Sequence, residues 1–225
     1  MIRIRSRASR AIAGGAVVAL LLLASPLVAQ QATQGEDLRL ALKRHIEAGD
    51  VKAVAAYGHG VMPVLIDLYR EADREERTQI ANIFYGLGWR SEEAKELLMQ
   101  DARSLNQDLR ISAQYALGRV SDDPAIVDLL IENLQKGFNP RVRDKAACGL
   151  AYDQIHLDER QKARLLRKVI GLLESPSAET RMLAIRVLHI HTGQTKGFIP
   201  ALPESHRAVA VERWKRWIEE YEANL

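Results

Sequence analysis

The stretch Asn139-Pro140-Arg141-Val142-Arg143-Asp144-Lys145-Ala146-Ala147-Cys148-Gly149-Leu150 decides the fold. Asn139 can accept hydrogen bonds from the first unpaired amides of a helix, and Pro140 suits its first position. From Arg143, the third residue on is Ala146 and the seventh is Leu150, which fall on one helical stripe at 100° per residue. The same arrangement occurs three more times, at Asp73/Arg77, Asn106/Arg110 and Ser177/Arg181. Successive arginines are 33, 33 and 38 residues apart. A period of that size marks stacked helical repeats.

Each unit reads as a helix pair. Met62–Arg70 turns at Glu71–Asp73 into Glu75–Leu87; Ser91–Asp101 pairs with Asp108–Val120, Pro124–Gln135 with Pro140–Tyr152, and Glu159–Leu173 with Ala178–Ile190. Ile80, Ala113, Ala146 and Ala184 occupy one equivalent position, and Phe84, Leu117, Leu150 and Leu188 another, so the same face of each second helix turns to the core. Small residues at the first position let neighbouring helices approach closely. The arginine beside this stripe recurs in every unit, which fits bonding to helix ends and neighbouring acids better than a ligand site.

This pattern resembles the HEAT-repeat family, and most closely the short bacterial HEAT-like (PBS-lyase-type) repeats whose second helix opens Asp-Pro-x-Val-Arg-x-x-Ala. Asn139 to Ala147 matches best and Asn106 to Arg110 with Ala113 next; Glu76 and Thr180 depart from it, standing where an aliphatic residue is expected. The resemblance covers Ala48 to Thr192. It implies an all-α fold, a short right-handed α-solenoid of about four HEAT-like helix pairs over residues 61–192. Asp37–Ala48 and Asp50–Tyr57 are expected to cap the N-terminal end, within residues 30–60. At the other end, residues 193–225 are expected to form a loop and a capping helix, Glu204–Tyr221. Its stripe of Val211, Trp214, Trp217, Ile218 and Tyr221 should cover the helix at Ala178–Ile190, which is apolar almost all round. The family is mostly one of binding scaffolds, so the resemblance implies architecture more than activity.

Residues 1–29 read as an export signal. Arg3, Arg5, Arg7 and Arg10 form a basic start, Ala11–Leu23 is uncharged and apolar, and Ser25-Pro26-Leu27-Val28-Ala29 offers a cleavage site after Ala29. The expected location is periplasmic or secreted, with membrane contact only if the segment stays uncleaved. The full chain holds 32 Lys+Arg and 29 Asp+Glu; without the four arginines of the signal, 28 basic side chains face 29 acidic ones. A near-neutral mature chain excludes nucleic-acid binding through a basic footprint. The single cysteine, Cys148, cannot form an intramolecular disulfide, so packing must stabilise the fold.

No motif in the sequence carries catalysis. Zinc-binding His-Glu-x-x-His, the Gly-x-Ser-x-Gly elbow, phosphate loops and Gly-x-Gly-x-x-Gly are missing, and none of the six histidines is followed by glutamate. His189 and His191 diverge by about 200° on a helix and do not form a metal pair. Cys148 lacks a second cysteine or a neighbouring histidine to make it a thiolate. No catalytic residue, cofactor or metal is expected.

Recognition is expected on the exposed face of the second helices. Positions one, two, five and nine after the arginine point away from the core; in the first three units they include Gln79, Asn82 and Gly86, then Ser112, Tyr115 and Arg119, then Lys145, Cys148 and Tyr152. Tyr and Arg concentrate binding energy at interfaces. The candidate partner-binding set is therefore Gln79, Asn82, Ser112, Tyr115, Arg119, Lys145 and Tyr152. The expected function is a non-enzymatic scaffold or adaptor for an unidentified protein or peptide. The alternative is a chromophore- or small-molecule-handling protein akin to HEAT-like bilin lyases.

Overall fold

The computed structural model describes residues 26–225. The expected export segment lies outside the described residues apart from Pro26–Ala29. Among the described residues the chain is all-α: α1 Pro26–Glu47, α2 Val51–Ala55, α3 Met62–Glu71, α4 Arg74–Leu87, α5 Glu92–Asp101, α6 Gln107–Val120, α7 Pro124–Lys136, α8 Pro140–Tyr152, α9 Glu159–Gly171, α10 Ala178–Thr192 and α11 Glu204–Ala223. One-turn 3-10 helices at His59–Val61 and Leu172–Glu174 complete it. The first helix begins at Pro26, eleven residues before the expected start at Asp37.

Caps set the helix starts. Asn106, Asn139 and Ser177 accept from the backbone amides of Leu109, Val142 and Thr180 at 3.0, 2.9 and 3.2 Å. Asp73 accepts from Glu75 and Glu76, while the Glu76 carboxylate accepts from the Asp73 amide. Glu76 thus departs from the aliphatic pattern because it closes a capping box. Thr180 departs differently: it is buried in the seat that Leu109 and Val142 fill in α6 and α8.

The expected core stripes are buried in all four second helices. These helices meet in succession, α4 against α6, α6 against α8, and α8 against α10. Alanine and glycine allow the approach: a Cβ at Gly149 of α8 would lie 3.3 Å from the Gln114 carbonyl of α6. Among the first helices, α3 meets α5 and α7 meets α9.

Three of the four recurring arginines turn back directly into their own pair. Arg77 Nε donates to the carbonyls of Tyr69 and Ala72 at 3.2 and 3.1 Å. Arg143 Nη1 donates to Gly137 at 2.7 Å, and Arg181 Nη1 to Ser175 and Pro176 at 2.8 and 2.9 Å. Two of them also form ion pairs with the next helix pair, Arg77 with Asp101 at 3.6 Å and Arg143 with Glu179 at 2.9 Å. Arg110 works through an intermediary: it donates to the Asn133 side chain, whose amide donates to the Ala102 carbonyl at the end of α5.

The C-terminal helix, expected to cover α10, does not have α10 as its chief neighbour. It packs chiefly along α9 and the turn Leu172–Glu174, burying Ala210, Val211, Trp214 and Ile218. Helices α8 and α9 already flank α10, and the preceding loop reaches its start, where Arg181 Nε and Nη2 donate to Pro200 at 3.1 and 3.0 Å. Met182 of α10 stays exposed.

Leu117 and Leu150 are both fully buried. Leu117→Ala or Leu150→Ala should each cost about 2 to 5 kcal/mol in chemical denaturation, as lost transfer energy plus a cavity. A change below about 0.5 kcal/mol, the range of ordinary surface substitutions, would show that these side chains do not pack in the core.

Candidate functional site

The expected recognition residues lie on α4, α6 and α8, and the structure divides them. Asn82 and Tyr152 are exposed, whereas Tyr115, Arg119 and Lys145 are half-buried along the same row of helices. Gln79 turns elsewhere and helps line a cleft of about 140 Å³ with Lys43 and Glu47 of α1, Leu68 of α3 and Glu76. Ser112 is a correction: it is buried, leaving 8% of its surface exposed. It sits on the central helix, where α4 and α8 close in from both sides.

Between α4 and α8, Tyr115, Arg119 and Lys145 join Tyr85 and Asp153 in a connected polar seam, of which Asn82 and Tyr152 are not part. The Arg119 guanidinium lies 4.5 Å from the centre of the Tyr85 ring, and its Nε donates to the Tyr85 carbonyl at 2.7 Å. Its Nη1 stands 3.7 Å from the Asp153 carboxylate, which the Tyr85 hydroxyl also faces. The rings of Tyr85 and Tyr115 are 6.1 Å apart and tilted by 53°. Lys145 sits beside the Tyr115 hydroxyl, which holds the lysine pKa above its ordinary value. Farther along, Asp144 accepts from Arg186 of α10 at 2.7 Å.

Tyr85, Asp153 and Arg186 escaped the sequence reading, and Asp144, one residue after Arg143, lay on the expected exposed face without being singled out. Tyr85 stands eight residues after Arg77, at 80° on the helical wheel, only 60° from the position of Tyr115 in its own unit. A wider exposed arc would have included it. Asp153 lies just past α8, where helical periodicity says nothing.

The loop after α8 holds the seam in place. Glycine at position 118 admits it, since a Cβ there would lie 2.6 Å from the Asp153 carbonyl and closer still to the side-chain Nε2 of Gln154. His156 Nε2 stands 3.1 Å from the Gly88 carbonyl and 2.9 Å from that of Arg119, between the C-terminal ends of α4 and α6. Unpaired helix-end carbonyls need such donors.

Burial raises the Asp153 pKa to about 6, against the opposing pull of Arg119 and Tyr85. Burial likewise pushes the Cys148 thiol up, which keeps it protonated at neutral pH. On α10, His189 is exposed, while His191 Nε2 lies 3.0 Å from the Leu150 carbonyl and burial lowers its pKa.

In comparisons with known proteins, the chain matches no family model and no curated protein.

Because the folded-state pKa of Asp153 lies above that of an unfolded aspartate, protonation favours the fold, and that contribution is lost as pH rises through about 6. Wild type should therefore gain about 1 kcal/mol on Asp153→Asn between pH 7.5 and pH 5. Parallel urea melts check this, and a constant difference would mean that Asp153 is not held in a desolvated site.

Proposed function

We propose that the protein is a non-enzymatic binding scaffold of the cell envelope. In this reading the helix pairs form a short right-handed α-solenoid of HEAT-like repeats, and a protein or peptide binds across the exposed face of α4, α6 and α8. The observation that carries the proposal is the seam of Tyr85, Tyr115, Arg119 and Lys145, together with the exposed Tyr152, spread over three successive helices. Aromatic and arginine side chains already ordered by mutual contacts lose little entropy when a partner docks.

The succession α4, α6, α8, α10 supports the solenoid reading, as do arginines that bond within their own pair and, at Arg77 and Arg143, reach the next. A protonated, half-buried Cys148 fits a packing role better than a nucleophile. The envelope location rests on the basic start and apolar run of residues 1–29. No helix among the described residues is long and apolar enough to cross a membrane.

Two measurements test this. A photo-crosslinking amino acid at Tyr152 should give a discrete adduct in cells, while one at Asp128, exposed on α7, should give none. Equal labelling from both positions, or no adduct from Tyr152, would refute the siting. The protein recovered from the periplasm or medium should begin at Gln30 by intact mass; recovery of the full chain in the cytosol alone would remove the envelope assignment.

A further inference from the structure

A second concentration of charge lies on α11, away from the seam. Lys196, Arg213, Arg216, Trp217 and Glu220 line a shallow open depression of about 410 Å³. Other charged groups of this helix find opposite charges: Lys215 pairs with Glu174 and Glu212, and Glu222 with Arg167. Among the described residues, Lys196, Arg213 and Arg216 have no carboxylate within ion-pairing distance. Three cations gathered on one depression with Glu220 as the one carboxylate lining it repel one another; Lys196 is half-covered there, while Arg213 and Arg216 are exposed.

The backbone holds two of these cations in place. Lys196 adopts a left-handed conformation with φ +50°, unusual for a non-glycine residue, and Gly197 follows at φ +79°. This turn presents the Lys196 carbonyl to Arg213 Nη1 at 3.3 Å, and a Cβ at Gly197 would stand 3.2 Å from the same nitrogen. The Lys196 ammonium lies 5.0 and 5.2 Å from the ring centres of Trp214 and Trp217 and donates to Gln194 at 2.6 Å. Trp214 is pinned by its indole N–H on the Thr195 carbonyl at 3.1 Å, and Trp217 stacks on Tyr221. Burial lowers the Lys196 pKa and the facing Glu220 only partly offsets it, so the ammonium is short of negative charge.

The geometry points to a binding site for a phosphate monoester formed by Lys196, Arg213 and Arg216 beside Trp217. Three cations less the charge of Glu220 leave a surplus of two, which a phosphate monoester, close to a dianion at neutral pH, neutralises. A single carboxylate would leave half of it unmet. Guanidinium groups match the oxygens of a phosphate in forked hydrogen bonds. The phosphate can belong to a soluble metabolite or to a lipid headgroup such as phosphatidic acid; the site chemistry is the same.

Nuclear magnetic resonance on the purified mature chain tests this. Inorganic phosphate, titrated at constant ionic strength, should shift the Trp217 indole N–H resonance saturably and leave that of Trp89 in place. Arg216→Gln should weaken the response about tenfold; Arg216 makes no hydrogen bond or ion pair among the described residues, so this variant should fold normally. Arg213→Gln should weaken it similarly. A shift that never saturates against chloride, or one equal in Arg216→Gln, overturns the site. Co-sedimentation with phosphatidylcholine vesicles, with and without phosphatidic acid, identifies the source. Binding to the phosphatidic acid vesicles that Arg216→Gln abolishes assigns a headgroup, whereas a saturable response to phosphate without vesicle binding assigns a soluble monoester.

Discussion

The fold depends on what happens at the junction inside each helix pair. The first helix ends with carbonyls that have no intrahelical partner, and the chain must reverse within a few residues. In three pairs an arginine four positions into the second helix supplies the missing donors directly, at Tyr69, Ala72, Gly137, Ser175 and Pro176. In the remaining pair Asn133 passes the contact on from Arg110 to Ala102. The guanidinium is planar and permanently charged, so it bridges several carbonyls at once and fixes the angle at which the second helix leaves the turn. With that angle set, the alanine and leucine stripes of successive second helices face the core together.

Most of this was legible because it is local. Caps, the arginine and the apolar stripe lie within twelve residues of one another, and the helix boundaries they imply agree with the structure within about two residues, the ordinary uncertainty of a helix end, except at the start of α1. The course of α11 was not legible. Its apolar stripe at Val211, Trp214 and Ile218 announces that it must be covered, but no local signal distinguishes α9 from α10 as the cover. The choice follows from the loop, which Arg181 holds through Pro200 across the start of α10.

The candidate site was legible by halves for the same reason. Tyr115, Arg119 and Tyr152 follow from helical phase, and phase alone placed Ser112 on the surface too. It is buried because phase describes one helix while exposure depends on how closely its neighbours stand. Asp153 belongs to the segment between α8 and α9, longer than the corresponding connections between α4 and α5 or α6 and α7, and this adds to the 38-residue interval between Arg143 and Arg181. The irregularity that breaks the period is the piece of chain that completes the seam.

The histidine of that segment ties two helix ends together. His156 touches the ends of α4 and α6 at once and is 68 residues from Gly88 in sequence. Ahead of α4, α3 is held by the Arg77 bonds to the carbonyls of Tyr69 and Ala72 and by the Tyr69 hydroxyl on Asp101. At α4 the imidazole adds a staple to the packing of α4 on α6, since parting their ends must also break its contact with one carbonyl or the other. Under load the ends of α4 and α6 should therefore part together rather than one at a time.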